Sequence, residues 1–142
     1  MFLLDTDHIT LYLLRSGPEY DRLRQRLTEH LDSPFYVSIV SFHEQVLGWN
    51  TYISRAGSQE GVVRGYSMYG QILKDYSRMQ VLPFEARAAS VFEALRTRRI
   101  RVPTMDLRIA ATAIAHGFNL LSRDLGHFRQ VPALDVEDWT LP

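Results

Sequence analysis

The chain has 142 residues, 46% of them hydrophobic, which suits one domain (1–142) with a real core and excludes a disordered chain. Sixteen basic and 16 acidic residues balance to a net charge of zero, so bulk charge does not mark a nucleic-acid binder. The absence of cysteine excludes disulfides, thiol nucleophiles and cysteine zinc sites; with no signal-peptide pattern and no apolar run of membrane length, the expected location is the cytoplasm.

Phe2 to Leu4 reads as a short buried strand, followed by a helix from about Asp7, which is placed to cap it. Gly17-Pro18 breaks that helix. Glu19 to Leu31 is amphipathic, with Leu23, Leu27 and Leu31 in line. Phe35 to Val40 is rich in aromatic and β-branched residues and predicts a second strand. Ser41 is the expected cap of the next helix, with Glu44 at its third position as in a capping box. A loop around Gly57 to Gly61 leads to a helix over about Val62 to Ser77. Gln80 to Leu82 predicts a third strand and Glu85 to Arg98 another helix, with RTRRIR as its basic exit. Thr104 is the expected cap of a helix from Met105 to His116, closed by Gly117. Asn119 to Ser122 predicts a fourth strand, Asp124 to Phe128 a turn or short helix, and Ala133 to Val136 a last strand. Short strands alternating with helices, without hairpin signals, predict an α/β protein with a parallel sheet.

Four acids fall in one kind of place. Asp5 ends the first strand, Glu44 and Asp106 lie in the first turns of their helices, and Asp124 follows the fourth strand. In a parallel sheet these positions share the carboxyl edge, where ligand crevices form. Each acid alone also has a structural use, as a partner for the positive end of a helix or as a turn residue. Together they would repel one another unless a hard divalent cation such as Mg²⁺ or Mn²⁺ joined them, since both favour oxygen ligands. His8, His30, His43, His116 and His127 show no zinc spacing; His8 and His43 lie beside proposed site residues, where they could touch a substrate and equally suit ordinary surface or supporting groups. Lys74 is the only lysine, so the bases are otherwise arginine, which suits phosphate binding and equally suits the codon bias of a GC-rich genome.

The segments LLDTDHI, VSIVSFHEQVLG and MDLRIAATAIAHGFNLLSRDLGHFRQVPALDVEDW resemble the PIN-domain ribonucleases, in particular the VapC-type toxins of bacterial toxin–antitoxin pairs. The resemblance spans nearly the whole chain. It implies a three-layer α/β/α sandwich with a mainly parallel sheet, and metal-dependent endonucleolytic cleavage of RNA. It carries Asp5, Glu44, Asp106 and Asp124 over as catalytic, metal-binding acids, with Thr6 and Ser122 behind them. Asp7 departs from the usual residue and is peripheral, and VPTM before Asp106 departs from the usual approach. It also implies an antitoxin partner and a homodimer.

The expected chemistry is hydrolysis by water activated with one or two cations, leaving 5′-phosphate and 3′-hydroxyl ends. Arg96, Arg98, Arg99, Arg101, Arg108 and Arg123 are candidates for the RNA backbone, although RTRRIR also suits a solvated helix end. A DxD phosphatase, with Asp5 as nucleophile and Asp7 as acid, would want a downstream lysine and a paired acidic motif that the chain lacks. The alternative of another class is a catalytically silent PIN-like module that binds RNA or assembles. The apolar faces around Leu23, Leu27 and Leu31 and around Tyr66, Tyr69 and Leu73 are expected to be mostly core, with some used for a second copy or an antitoxin helix.

Overall fold

The computed structural model describes residues 1–142 as five strands and seven helices. In chain order these are β1 (Phe2–Leu4), α1 (Thr6–Leu14), α2 (Pro18–Glu29), β2 (Phe35–Ser38), α3 (Ile39–Arg55) and α4 (Gln59–Ser77). They continue with β3 (Val81–Leu82), α5 (Ala86–Thr97), α6 (Thr104–His116), β4 (Asn119–Leu121), α7 (Leu125–Phe128) and β5 (Val136–Glu137). The strands pair in the order β3-β2-β1-β4-β5, all parallel. The chain builds outward from β1 on one side, then returns to β1's other side with β4. The β1/β4 boundary is therefore a topological switch point, where the carboxyl edge opens into a crevice.

Strand alternation divides the core into two layers. Leu3, Leu120 and Tyr36 face α5, α6 and the Phe128–Val131 segment. Phe2, Leu4, Phe35, Val37 and Leu121 face α1, α2 and α4. Successive side chains point to opposite sheet faces, so three-residue strands serve both layers. The result is the expected three-layer sandwich. Register then fixes the site. Leu4 pairs with both Val37 and Leu121, so the next residues, Asp5, Ser38 and Ser122, stand in one row at the carboxyl edge.

Several boundaries differ from expectation. Asp5, not Asp7, caps α1: its side chain accepts from the Thr6 backbone N–H at 2.8 Å. Ser38, not Ser41, caps α3, accepting from Val40 N–H at 3.0 Å, so no Ser41–Glu44 capping box forms. Glu44 consequently lies in the second turn of α3, not the first. Pro103 stands at the cap of α6 and Thr104 is its first residue. The α4 helix begins at Gln59, ahead of Val62, β4 ends at Leu121, and β5 is Val136–Glu137 rather than Ala133 to Val136. Of the apolar faces expected in the core, Leu23 is fully buried, whereas Leu31, Tyr66 and Leu73 are 78%, 63% and 65% exposed. The α3–α4 hairpin closes tightly at Gly65, where an added Cβ would come within 2.2 Å of Ile53 Cγ1. No helix is long and apolar enough to cross a membrane.

Candidate active site

Asp5 leads out of β1 and caps α1, and the residue is 6% exposed. One oxygen takes the Thr6 N–H; the other takes the Ser122 hydroxyl at 2.7 Å. Ser122 Oγ also accepts from Asp124 N–H at 3.0 Å, so the β4 exit is folded around the Asp5 carboxylate. Burial, then repulsion from Asp7 and Asp106, outweighs these hydrogen bonds and pushes the Asp5 carboxyl up to about 7.

Thr6 joins this carboxylate to the second acid. Its hydroxyl donates to Glu44 Oε1 at 3.0 Å while its N–H holds Asp5. Burial and the charge of Asp106 raise the Glu44 carboxyl above its usual value, against the Thr6 hydrogen bond and His43. Asp106 lies in the first turn of α6 and accepts no hydrogen bond from the protein. Burial, Asp124 and Asp7 raise its carboxyl despite His127. Asp106 thus feels Asp124 and is felt by Asp5 and Glu44. The four acids read from the sequence do converge on one edge.

Asp124 is different. Burial opposes its charge, but the His127 ring at 2.6 Å, the His127 N–H at 3.1 Å and the imidazole's charge outweigh that and hold the carboxyl below its usual value. One ligand atom each from Asp106, Asp124 and His127 lie within 4.8 Å of one another, a cation-holding arrangement to which Asp5 and Glu44 do not belong. His127 was not singled out from the sequence. The signal for it is its i+3 position from Asp124 on the short α7 turn, which puts both on one face.

The residues around the acids are placed as follows. Asp7, read as peripheral, is a structural brace: Oδ2 accepts from Arg123 N–H at 2.9 Å and Oδ1 meets His8 Nδ1 at 2.8 Å. His8 is fully buried, and its Nε2 accepts from Trp139 N–H at 3.3 Å. Tyr76 is buried beside the site without a hydrogen-bond partner; burial, then Glu44 and Asp5, raise its hydroxyl and keep it protonated. Ser41 Oγ is likewise buried and unpartnered. Of the arginine candidates, Arg123 is paired with Glu19 at 3.1 Å and Arg96 with Glu93 at 2.8 Å. Arg108 lies over the Phe92 ring at 5.4 Å and lines a hollow of about 420 Å³ with His43. Arg98, Arg99 and Arg101 are exposed and touch none of the four acids through hydrogen bonds or ion pairs.

Asp106, Asp124 and His127 are the donors within reach of one ion, with Asp5 and Glu44 as neighbouring carboxyls outside that reach. Three of the carboxyls are pushed upward by burial and by one another. A divalent cation offsets that repulsion, so these residues fit one.

Comparison with known proteins bears on the family and the fold. The sequence matches the family described as PIN domain over residues 2–134. It is 32% identical over 101 residues to Ribonuclease VapC4 of Mycobacterium tuberculosis, covering 70% of this chain and 73% of that protein. It is 25% identical over 142 residues to the tRNA(fMet)-specific endonuclease VapC of Salmonella typhimurium, covering 97% of each. A shorter match, 36% over 64 residues, covers 42% of this chain and about half (48%) of Ribonuclease VapC1 of Rickettsia felis. Its fold is shared by a toxin–antitoxin complex from Klebsiella pneumoniae, with a TM-score of 0.62 at 20% identity, over 98% of each chain. The chain belongs to the PIN-domain family, among its VapC-type members.

Proposed function

We propose that this chain is a metal-dependent endoribonuclease, the toxin of a toxin–antitoxin pair, acting as one PIN domain in the cytoplasm. The observation that carries the reading is the convergence of Asp5, Glu44, Asp106 and Asp124 on one sheet edge, with Asp106, Asp124 and His127 within cation-holding reach. The full-length likeness to a VapC endonuclease supports it. The acids hold Mg²⁺ or Mn²⁺, ions suited to an oxygen-rich set. When bound, such an ion supplies Lewis acidity toward water and phosphate oxygen.

The chain's own residues do the positioning. Thr6 fixes Asp5 and Glu44 at a set separation, because one residue donates to both. Ser122 orients the second oxygen of Asp5. His127 holds the Asp124 carboxyl below its usual value. Arg108, which lines a hollow with His43 of Glu44's helix, is a candidate to serve a phosphate. An antitoxin covers the site until it is removed, and a second copy packs on the exposed apolar surface of α4 around Val63, Tyr66 and Leu73.

The test is cleavage of pooled RNA by wild type and Asp5→Asn, with Mg²⁺, Mn²⁺ or EDTA. Cutting that needs metal, falls at least about a hundredfold in the variant and leaves 5′-phosphate and 3′-hydroxyl ends is the expected outcome. A 2′,3′-cyclic phosphate product would contradict the scheme, because the 2′-hydroxyl would then be the nucleophile. RNA bound but not cut would select a silent module.

A further inference from the structure

Three arginines, Arg15, Arg64 and Arg78, line a groove of about 760 Å³ between α1 and the α3–α4 hairpin. All three are exposed, and none has a carboxylate within ion-pair reach. The one acid in the lining, Asp75, is already engaged by the Gln71 amide at 2.9 Å. The lining thus carries three cations against one anion, on a chain of zero net charge. Negative helix ends account in part for Arg15 and Arg78, the C-caps of α1 and α4, but not for Arg64 within α4. Arg15 also holds a left-handed φ of 53°, a conformation that favours glycine.

The groove shares two helices, α1 and α3, with the acidic site. Its lining includes Thr10, one turn beyond Thr6 on α1, and Gln45, the neighbour of Glu44 on α3. Thr10 Oγ1 donates to the Thr6 carbonyl at 2.8 Å. Half-buried Trp49 offers an indole in the wall, held edge-on by Tyr52 with ring centroids 5.1 Å apart. Cations along a channel with an aromatic platform form the recognition chemistry of single-stranded nucleic acid. An acidic cluster repels phosphate, so the substrate has to be held next to it rather than by it.

We propose that this groove seats a single-stranded segment of RNA flanking the scissile bond, its phosphates on Arg15, Arg64 and Arg78 and a base against Trp49. The assignment rests on the ribonuclease reading above. It is tested by binding of a fluorescent mixed-sequence single-stranded RNA 20-mer to the full chain in EDTA, where cutting does not interfere. The groove variant carries Arg15→Gln, Arg64→Gln and Arg78→Gln. A control variant removes the same charge elsewhere, with Arg24→Gln, Arg87→Gln and Arg129→Gln.

The groove variant is expected to bind about tenfold more weakly at low salt, and its plot of log affinity against log salt to be shallower by about 2, the value for three lost single-strand phosphate contacts. The control is expected to keep the wild-type slope. Equal slopes in both variants would overturn the proposal and leave the groove to a protein partner. Wild type that cuts RNA while the groove variant binds normally removes the groove alone. Wild type that neither binds nor cuts removes both readings. Binding lost in the groove variant, with no metal-dependent cutting by wild type, keeps the groove and removes the nuclease.

Discussion

Asp5 and Asp124 follow neighbouring parallel strands, and their surroundings push them in opposite directions. Asp5 is sealed under α1, hydrogen-bonded on both oxygens, and still raised to about 7 by burial and by Asp7 and Asp106. Asp124 is half-buried, and its His127 partner holds its carboxyl low. The buried half, with Thr6, Glu44 and Ser122, gives the site its fixed geometry. The open half, with Asp106 and His127, gives it a ligand cluster reachable from solvent. The two carboxylates are held by different means: burial that fixes Asp5 also resists its charge, whereas Asp124 keeps its charge through the His127 hydrogen bonds.

The largest consequence of that difference is a dependence of stability on pH. In metal-free protein the folded-state value for Asp5, about 7, lies above its ordinary 3.8, so the folded state binds the proton more tightly. The contribution is present at low pH and is lost as pH rises through the window from about 4 to about 7. Between about pH 5 and pH 8 the loss from this one group is about 3 kcal/mol. Glu44 and Asp106 are raised too and act in the same direction. Urea unfolding in EDTA at the two pH values should show wild type weakening and Asp5→Asn weakening by about 3 kcal/mol less, with Glu44 and Asp106 supplying what remains. A wild type as stable at pH 8 as at pH 5 would mean that the buried half is more solvated than its geometry indicates.

A smaller effect separates orientation from charge. Ser122→Ala keeps every acid but removes the 2.7 Å hydrogen bond on Asp5 and the acceptor for Asp124 N–H. Groups that orient metal ligands in this way are worth about 10–100-fold in metal affinity or activity. Mn²⁺ titration of the variant should show that loss, with a further rise in the Asp5 carboxyl, because the Ser122 bond lowers it. Ser122→Thr keeps the hydroxyl and should restore most of the affinity. If Ala and Thr behave alike, Ser122 fills space and does not orient Asp5.

The two halves were unequally legible in the sequence. Asp5, Glu44, Asp106 and Asp124 were found because each is tied to the end of a strand or the start of a helix, and parallel topology sends those positions to one edge. Their environments were not legible, since burial and partners depend on elements distant in the chain. Ser38 and Ser41 illustrate the limit. Both are cap-type residues at the end of an apolar, β-branched run, and composition does not say where strand becomes helix; Ile39 and Val40 are helical here despite their β preference. Leu31, Tyr66 and Leu73 repeat with helical spacing as core residues do, yet they are exposed. Periodicity marks an apolar face and not what covers it. Arg15, Arg64 and Arg78 are scattered along the chain, and only the fold makes them one groove.

The smallest expected effect probes the open half. His127→Gln removes the imidazole from Asp124 but leaves a residue able to hydrogen-bond in the same turn. The Asp124 carboxyl should rise toward its ordinary value, since the side-chain bond and the ring's charge are what hold it down. At neutral pH a carboxylate of ordinary value is still ionised, so Mn²⁺ affinity should fall only severalfold. The deficit should widen below about pH 5, where an ordinary aspartate begins to protonate and a lowered one does not. Calorimetric titration at pH 5 and pH 7 separates two roles for the ring. If His127 only keeps Asp124 charged, the deficit depends on pH. If it is itself a ligand, as its place within 4.8 Å of Asp106 and Asp124 permits, the loss at pH 7 should match that of Ser122→Ala. The open half would then be as fixed as the buried one, with the imidazole in place of burial.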